Sequence, residues 1–145
     1  YVVETSIGLD RMFLAVFSHS LQEEELENGT TRTVLKLPAV LAPTKAAILP
    51  LVKKDGLPEI ARKIVEELKW DFNVDYDEKD AVGRRYRRQD AVGTPFCITV
   101  DHETLNDGTV TIRYRDTMDQ QRVKISELKD LIKQEVDVKS WLMKM

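Results

Sequence analysis

The segment between Ala46 and Tyr76 constrains the fold more than any other. "AAILPLV", Ala46 to Val52, is a short apolar run of the kind that forms a buried strand, and Asp55-Gly56 turns the chain after it. The stretch that follows has Pro58 in its first turn and carries Leu57, Ile60, Ala61, Ile64, Val65 and Leu68 at helical spacing. Phe72, Val74 and Tyr76 then alternate with polar residues, as in a strand. A strand, a helix and a strand in such close succession imply a right-handed parallel crossover unit. Pro50 has no N–H to give, which argues against a central ladder position at that residue.

Downstream, "TPFCITVD" and "TVTIRYRD" flank "HETLNDG", whose Asn106-Asp107-Gly108 is turn chemistry. These two strands are expected to pair antiparallel, so the sheet is mixed. Ser126 precedes a helix with apolar positions at Leu128, Leu131, Ile132 and Val136. From Ala46 the order is strand, helix, strand, short helix, strand, strand, helix, an α/β arrangement. "LPAVLAP", bounded by Pro38 and Pro43, reads as an extended connector that docks on something.

Upstream the character differs. Tyr1 to Thr5 are β-prone, Gly8 breaks the strand, and Leu9, Met12, Phe13, Val16 and Phe17 mark one face of a helix over Leu9 to Ser20. The acid-rich "LQEEELENGTTRTV" reads as a loop or linker. The domain boundary is placed there, dividing the chain into 1–28 and 29–145. Because the chain opens on Tyr1 inside a strand-like run, it is expected to be part of a longer protein.

In all, 145 residues with 42% hydrophobic content support one core. Cys97 is the single cysteine, which excludes an internal disulfide and a cysteine zinc site and fits a reducing, cytoplasmic setting. No apolar run is long enough to span a membrane. The formal charge is −3, from 22 basic against 25 acidic residues, so any attraction for a polyanion must come from a local patch.

One such patch exists. In "GRRYRRQDAVG", Gly83 to Gly93, Arg84, Arg85, Arg87 and Arg88 surround Tyr86. Strand alternation puts Cys97, Thr99 and Asp101 on one face of the hairpin's first strand and Thr111, Arg113 and Arg115 on one face of its second. Arginine pairs with phosphate and stacks on bases, while Thr, Asp and Gln read the edges of unpaired bases, so a basic platform of this kind suits a single-stranded RNA loop. Two readings stay open at this stage: the four clustered arginines could simply keep a surface helix solvated, and Arg113 and Arg115 could pair with Asp101, Asp116 or Asp119. For catalysis the residues offer little. His19, His102 and Cys97 stand at no triad or metal-ligand spacing, no metal site is expected, and no phosphate-binding glycine loop is present.

Two stretches together resemble glycyl-tRNA synthetases. "VVETSIGLDRMFLAVF", Val2 to Phe17, is similar to motif 3 of class II aminoacyl-tRNA synthetases. "LPAVLAPTKAAILPLV", "VGRRYRRQDAVGTPFCITVD" and "TIRYRDTM" are similar to the anticodon-binding domain of the dimeric glycyl enzymes. The resemblance implies a mixed five-stranded sheet flanked by three helices, preceded by a strand-helix remnant of a catalytic domain. The fifth strand would come from "LPAVLAP" or from a short segment after Asp116. It further implies that Arg11 holds ATP phosphates, that Glu4 and Ser6 bind the amino group of glycine and close its pocket, and that Arg84, Arg85, Arg88, Asp90, Thr99, Arg113 and Arg115 lie at the anticodon. The expected partners are glycine tRNA and, in a complete homodimeric enzyme, glycine and ATP with Mg2+. Motifs 1 and 2 are missing from this sequence, so the chain alone is not expected to catalyse, to need a cofactor or to touch a membrane. Histidyl, threonyl and prolyl synthetases, which carry related domains, are the nearest alternatives; a non-catalytic relative such as a polymerase accessory subunit is another.

Overall fold

The computed structural model describes residues 1–26 and 29–143. Its centre is a five-stranded sheet in the order β4-β3-β5-β6-β7, built from β3 (Ala46–Pro50), β4 (Val74–Tyr76), β5 (Phe96–Val100), β6 (Thr109–Tyr114) and β7 (Gln120–Lys124). β3 runs parallel to both β4 and β5, whereas β5–β6 and β6–β7 are antiparallel. The mixed sheet is therefore as expected, and its fifth strand is the segment after Asp116.

Every residue of β3 and of β5 is buried, which is why both read as continuous apolar runs: strands inside a sheet covered on both faces have no solvent side to mark. Pro50 takes the last register position of β3, opposite Val100, and the ladder continues past it through Leu51 N–H to the Val100 carbonyl at 2.8 Å. A proline at a strand end loses nothing.

One face of the sheet is closed by α2 (Leu57–Leu68) and α5 (Leu128–Val136), which bury Leu57, Ala61, Ile64, Leu68, Leu128 and Ile132 against Ile48, Phe96, Ile98, Val100, Val110 and Ile112. A turn of 3-10 helix at Ile125–Glu127 leads into α5, and Ser126 does not cap it. The other face carries α3 (Val82–Val92), whose Tyr86 lies on Ala47, Leu49 and Cys97. The two remaining short helices are α4 (Thr104–Asp107), inside the β5–β6 connection, and α6 (Val138–Leu142).

Two readings of the N-terminal part need correction. The acid-rich stretch is not a loop: β1 (Leu21–Glu25) and β2 (Thr31–Leu35) pair antiparallel, with Arg32, Val34 and Leu35 turned inward. The boundary placed after residue 28 falls between β1 and β2, and residues 27 and 28 lie outside the described residues. Residues 1–8 form no strand; they have no partner strand among the described residues, and an unpaired strand leaves its backbone groups unsatisfied. The helix after them, α1 (Leu9–Ser20), is as expected, but its apolar face is open, with Leu9 77% and Phe13 67% exposed.

The hairpin docks on α3. Gly93, at the C-terminal cap of α3 with φ +83°, makes the closest approach: a Cβ there would sit 3.1 Å from the Leu35 carbonyl oxygen of β2. Only glycine combines that left-handed backbone with so near a neighbour.

Cys97 is a core residue. It is 1% exposed, and burial pushes its thiol up to about 12, the nearby Arg113 guanidinium opposing this only in part. At pH 8 the folded chain is expected to leave a disulfide reagent such as dithionitrobenzoate unreacted for many minutes, and the same chain in denaturant to react at once, since only the thiolate attacks. Fast labelling of the native chain would mean that β5 opens readily.

Candidate nucleic-acid interface

The arginines of the central stretch divide into two sets by helix geometry. With 3.6 residues per turn, Val82, Tyr86, Gln89 and Asp90 face the sheet, while Arg84, Arg87, Arg88 and Ala91 face away. Arg85 lies between the two sets and folds inward. It is 2% exposed and donates to the carbonyls of Pro50 (2.6 Å), Asp80 (3.0 Å), Asp77 (3.2 Å) and Leu51 (3.4 Å), pinning the ends of β3 and the β4–α3 loop together.

Asp90 is the centre of a buried ionic cluster. Its carboxylate, 1% exposed, accepts from both terminal nitrogens of Arg113, at 2.8 and 3.0 Å, and from Arg32 of β2 at 3.1 Å. Burial pulls the Arg113 guanidinium down, but the hydrogen bonds and charge of Asp90 outweigh it and leave the group above its ordinary value. The same guanidinium lies 4.8 Å from the centre of the Tyr86 ring, a cation–π contact. Arg115, 3% exposed, donates to the carbonyls of Gly93 (2.8 Å) and Leu37 (2.6 Å) and pairs with Asp116 at 2.7 Å.

Four residues expected at the anticodon, Arg85, Asp90, Arg113 and Arg115, thus lie buried with their polar atoms engaged. The open polar face imagined for Arg113 and Arg115 is covered, because α3 and the hairpin lie over it. Of the two open readings for these arginines, ion pairing holds for Arg115 with Asp116; the partner of Arg113 is Asp90, from a helix rather than from the hairpin itself. Arg88 is exposed, yet it pairs with Asp77 (2.6 Å) and Asp80 (2.9 Å). Burial would raise the Asp77 carboxyl, but hydrogen bonds from Arg88 and the Lys79 backbone hold it below its usual range. Among the described residues the Arg84 side chain has no hydrogen-bond or ion-pair partner.

Beyond the N-terminal turn of α3, at the carboxyl ends of β3 and β5, lies a shallow cavity of about 270 Å³ lined by Leu51, Val82, Tyr86, Thr99, Asp101, Thr111 and Gln120. Crevices outside the carboxyl ends of parallel strands are the usual ligand positions of open α/β sheets. The Tyr86 hydroxyl and Thr99 Oγ1 are 2.6 Å apart on its floor. Register places Thr99 beside Thr111, Thr111 beside Arg122, and Arg113 beside Gln120, so one row of side chains runs from β5 to β7. Asp101 forms an ion pair with Arg122, and burial of its carboxyl is more than offset by that pair and by Thr104, so it stays ionised and can only accept hydrogen bonds. Burial raises Tyr86, whose phenol stays protonated at neutral pH and can donate. An aromatic ring with hydroxyl, amide and carboxylate groups around it is equipped to take the Watson–Crick edge of an unstacked base.

Of the cavity's residues, Thr99 stood out from the sequence; Tyr86, Asp101 and Thr111 were legible as members of one polar face. Gln120 and Arg122 were missed together with β7. Arg32 was missed because its neighbourhood read as a linker; the alternation of Arg32 and Val34 was the available signal.

The family model for the anticodon binding domain matches residues 45–135. The chain belongs to that family. This anticodon-binding domain is 55% identical over 132 residues to a glycine--tRNA ligase of Clostridium beijerinckii and 50% identical over 136 residues to one of Borrelia hermsii. The matches take in 91% and 94% of this chain but only 28% and 31% of those relatives, so the chain spans less than a third of their length. Among solved structures, a prolyl-tRNA synthetase of Cryptosporidium parvum superposes with TM-score 0.64 over 84% of the chain at 20% identity. The RNA binding domain of a threonyl-tRNA synthetase from the same organism gives 0.63 over 69% at 23% identity. These two share the fold of the anticodon-binding domain, while the two relatives named above, which share half of its residues or more, are glycine--tRNA ligases. No helix among the described residues is long and apolar enough to cross a membrane.

Proposed function

We propose that this domain reads the anticodon of glycine tRNA for a longer, homodimeric and cytoplasmic glycine--tRNA ligase, and that the cavity around Tyr86 and Thr99 receives an anticodon base. The observation that carries the reading is the cavity itself: a ring, two threonine hydroxyls, an amide and a carboxylate gathered at the carboxyl ends of two parallel strands. Of the residues assigned to the anticodon by resemblance, Thr99 touches the base, while Arg84 and Arg88 lie on the outer face of α3, outside the cavity lining. Arg85, Asp90, Arg113 and Arg115 act from beneath, fixing the ring and strand ends that form it. Residues before the β1–β2 hairpin belong to the catalytic part of the longer protein. There Arg11, an exposed guanidinium on α1, suits ATP phosphates accompanied by Mg2+, and Glu4 with Ser6 suits the ammonium of glycine. No catalytic step is assigned to these three residues.

Glycine codons begin with two guanines, so the matching anticodon carries two cytosines. Equilibrium binding of the chain to a glycine anticodon stem-loop is expected to exceed binding to the same stem-loop with both cytosines replaced by about tenfold or more, since each wrong base typically costs about 1–3 kcal/mol. Thr99→Val, which keeps shape and removes the hydroxyl, is expected to erase most of that preference. Equal binding of the two stem-loops by the unaltered chain would refute the base-reading role.

A further inference from the structure

On the far side of α3 from the cavity, a groove of about 350 Å³ runs between the helix and β2, lined by Thr31, Arg32, Thr33, Arg87, Arg88 and Ala91. Of the three arginines in this lining, two are paired with carboxylates and Arg87, among the described residues, is not. Arg32, Arg62, Arg88, Arg113, Arg115 and Arg122 each pair with a carboxylate. Arg87 has no such partner among the described residues: it donates to the Thr31 carbonyl at 2.9 Å and to the Thr30 hydroxyl at 3.2 Å, both neutral, and so keeps its full charge at the groove's edge. Arg84, one helical turn earlier on the same outer face, has no partner at all among the described residues. Helix electrostatics do not account for Arg84 either, because a cation in the first turn opposes the macrodipole, and α3 has no acidic residue there. The alternation of β2 turns Thr31 and Thr33 outward while Arg32 goes in, adding hydroxyl donors along the opposite wall. On a chain whose net charge is −3, two guanidiniums without a carboxylate partner among the described residues, one of them across a groove from two outward threonines, are a local anion-binding edge.

We propose that this edge, Arg84 and Arg87 with Thr31 and Thr33, holds the phosphate backbone of the same RNA whose base enters the cavity. The proposal rests on the anticodon reading and divides the work of α3 by face: bases are read beside Val82 and Tyr86, and phosphates are held about one helix diameter away, roughly 10–12 Å. Contacts to phosphate set affinity and its salt dependence, whereas contacts to bases set preference, so the two faces are separable by measurement.

The test compares three proteins, the unaltered chain, R84Q/R87Q and Thr99→Val, against the intact and the cytosine-replaced stem-loops over about 50–200 mM salt. R84Q/R87Q is expected to weaken both RNAs by the same factor, about tenfold, and to flatten the slope of log affinity against log salt by about 1.4–1.8, two phosphates' worth. Its preference for the intact anticodon should survive. Thr99→Val should show the reverse: preference lost, slope kept. Both arginines are exposed, so thermal unfolding of the double variant should match that of the unaltered chain. An unchanged slope in R84Q/R87Q, or a loss of preference at constant slope, would overturn the phosphate assignment. If the unaltered chain binds both stem-loops equally but the double variant still flattens the slope, base reading fails and the phosphate edge stands. Absence of any salt-sensitive RNA binding by the unaltered chain would overturn both.

Discussion

Asp90→Ala is expected to destabilise the chain by about 3–5 kcal/mol, the cost of leaving buried charge without its partner. Asp90 is 1% exposed and receives three hydrogen bonds from two guanidiniums, Arg32 and Arg113, themselves 2% and 6% exposed. Removing the carboxylate leaves two cations close together in a site with little room for water. Arg32 retains Glu24 as a second partner, but Arg113 is left with the face of Tyr86 and the Cys97 thiol and no carboxylate among the described residues. With about 2–4 °C of melting temperature per kcal/mol for chains of roughly this size, the loss amounts to about 6–20 °C in a thermal scan. Asp90→Asn should fall between the two, since an amide accepts from one guanidinium but also presents N–H groups to cations. A drop of only a degree or two would mean that water reaches the cluster. Because Arg113 lies against the ring of Tyr86, the same variant should also loosen the base cavity, lowering anticodon preference in whatever fraction remains folded.

The second large effect expected is at Arg85, and its sign distinguishes shape from charge. The guanidinium meets no carboxylate; it serves four backbone carbonyls, those of Pro50, Leu51, Asp77 and Asp80, from one planar fork. Lysine carries the same charge but presents a single ammonium on a flexible stem, which cannot reach acceptors on two separate segments at once. Arg85→Lys is therefore expected to cost nearly as much as Arg85→Ala, about 2–3 kcal/mol or more in urea unfolding, because buried carbonyls lose their donors either way. Should lysine restore most of the stability, a single strong bond, such as the 2.6 Å contact to Pro50, carries the site. The consequence extends to RNA binding, since Leu51 lines the cavity and its carbonyl is one of the four.

The parts of this fold that are legible in the sequence are those where burial and periodicity agree. α2 buries one clean stripe, and β3 and β5 are buried on both faces, so apolar spacing alone identifies them. β7 buries only Val123 fully among Gln120–Lys124, as befits an edge strand with a charged exposed side, and no alternation marks it. β1 and β2 escaped for a related reason. Glu23, Glu24 and Glu25 read as loop composition, and the inward residue of β2 that matters most is an arginine, which a hydrophobic pattern counts as outward. The site shows the same limit. That Arg84 faces solvent while Arg85 is buried follows from one hundred degrees of helix rotation, but which side meets the sheet depends on where Asp90 and Tyr86 find partners, and those partners lie on β2, β5 and β6. A cluster of like charges in sequence thus became two sets, one buried and one turned to solvent, through contacts 13 to 58 residues away along the chain.

The docking of the β1–β2 hairpin on α3 bears on how such a domain can be moved between proteins. The acid-rich stretch invites a cut near residue 28, yet a cut there separates Glu24 from Arg32 and strips β2 of β1, its one neighbour strand among the described residues. A piece beginning before Leu21 keeps the hairpin whole, with Arg32 still seated on Asp90. In gene fusion or recombination, a piece that starts at the end of α1 therefore keeps the hairpin, and with it the Arg32–Asp90 contact that ties its first residues to α3.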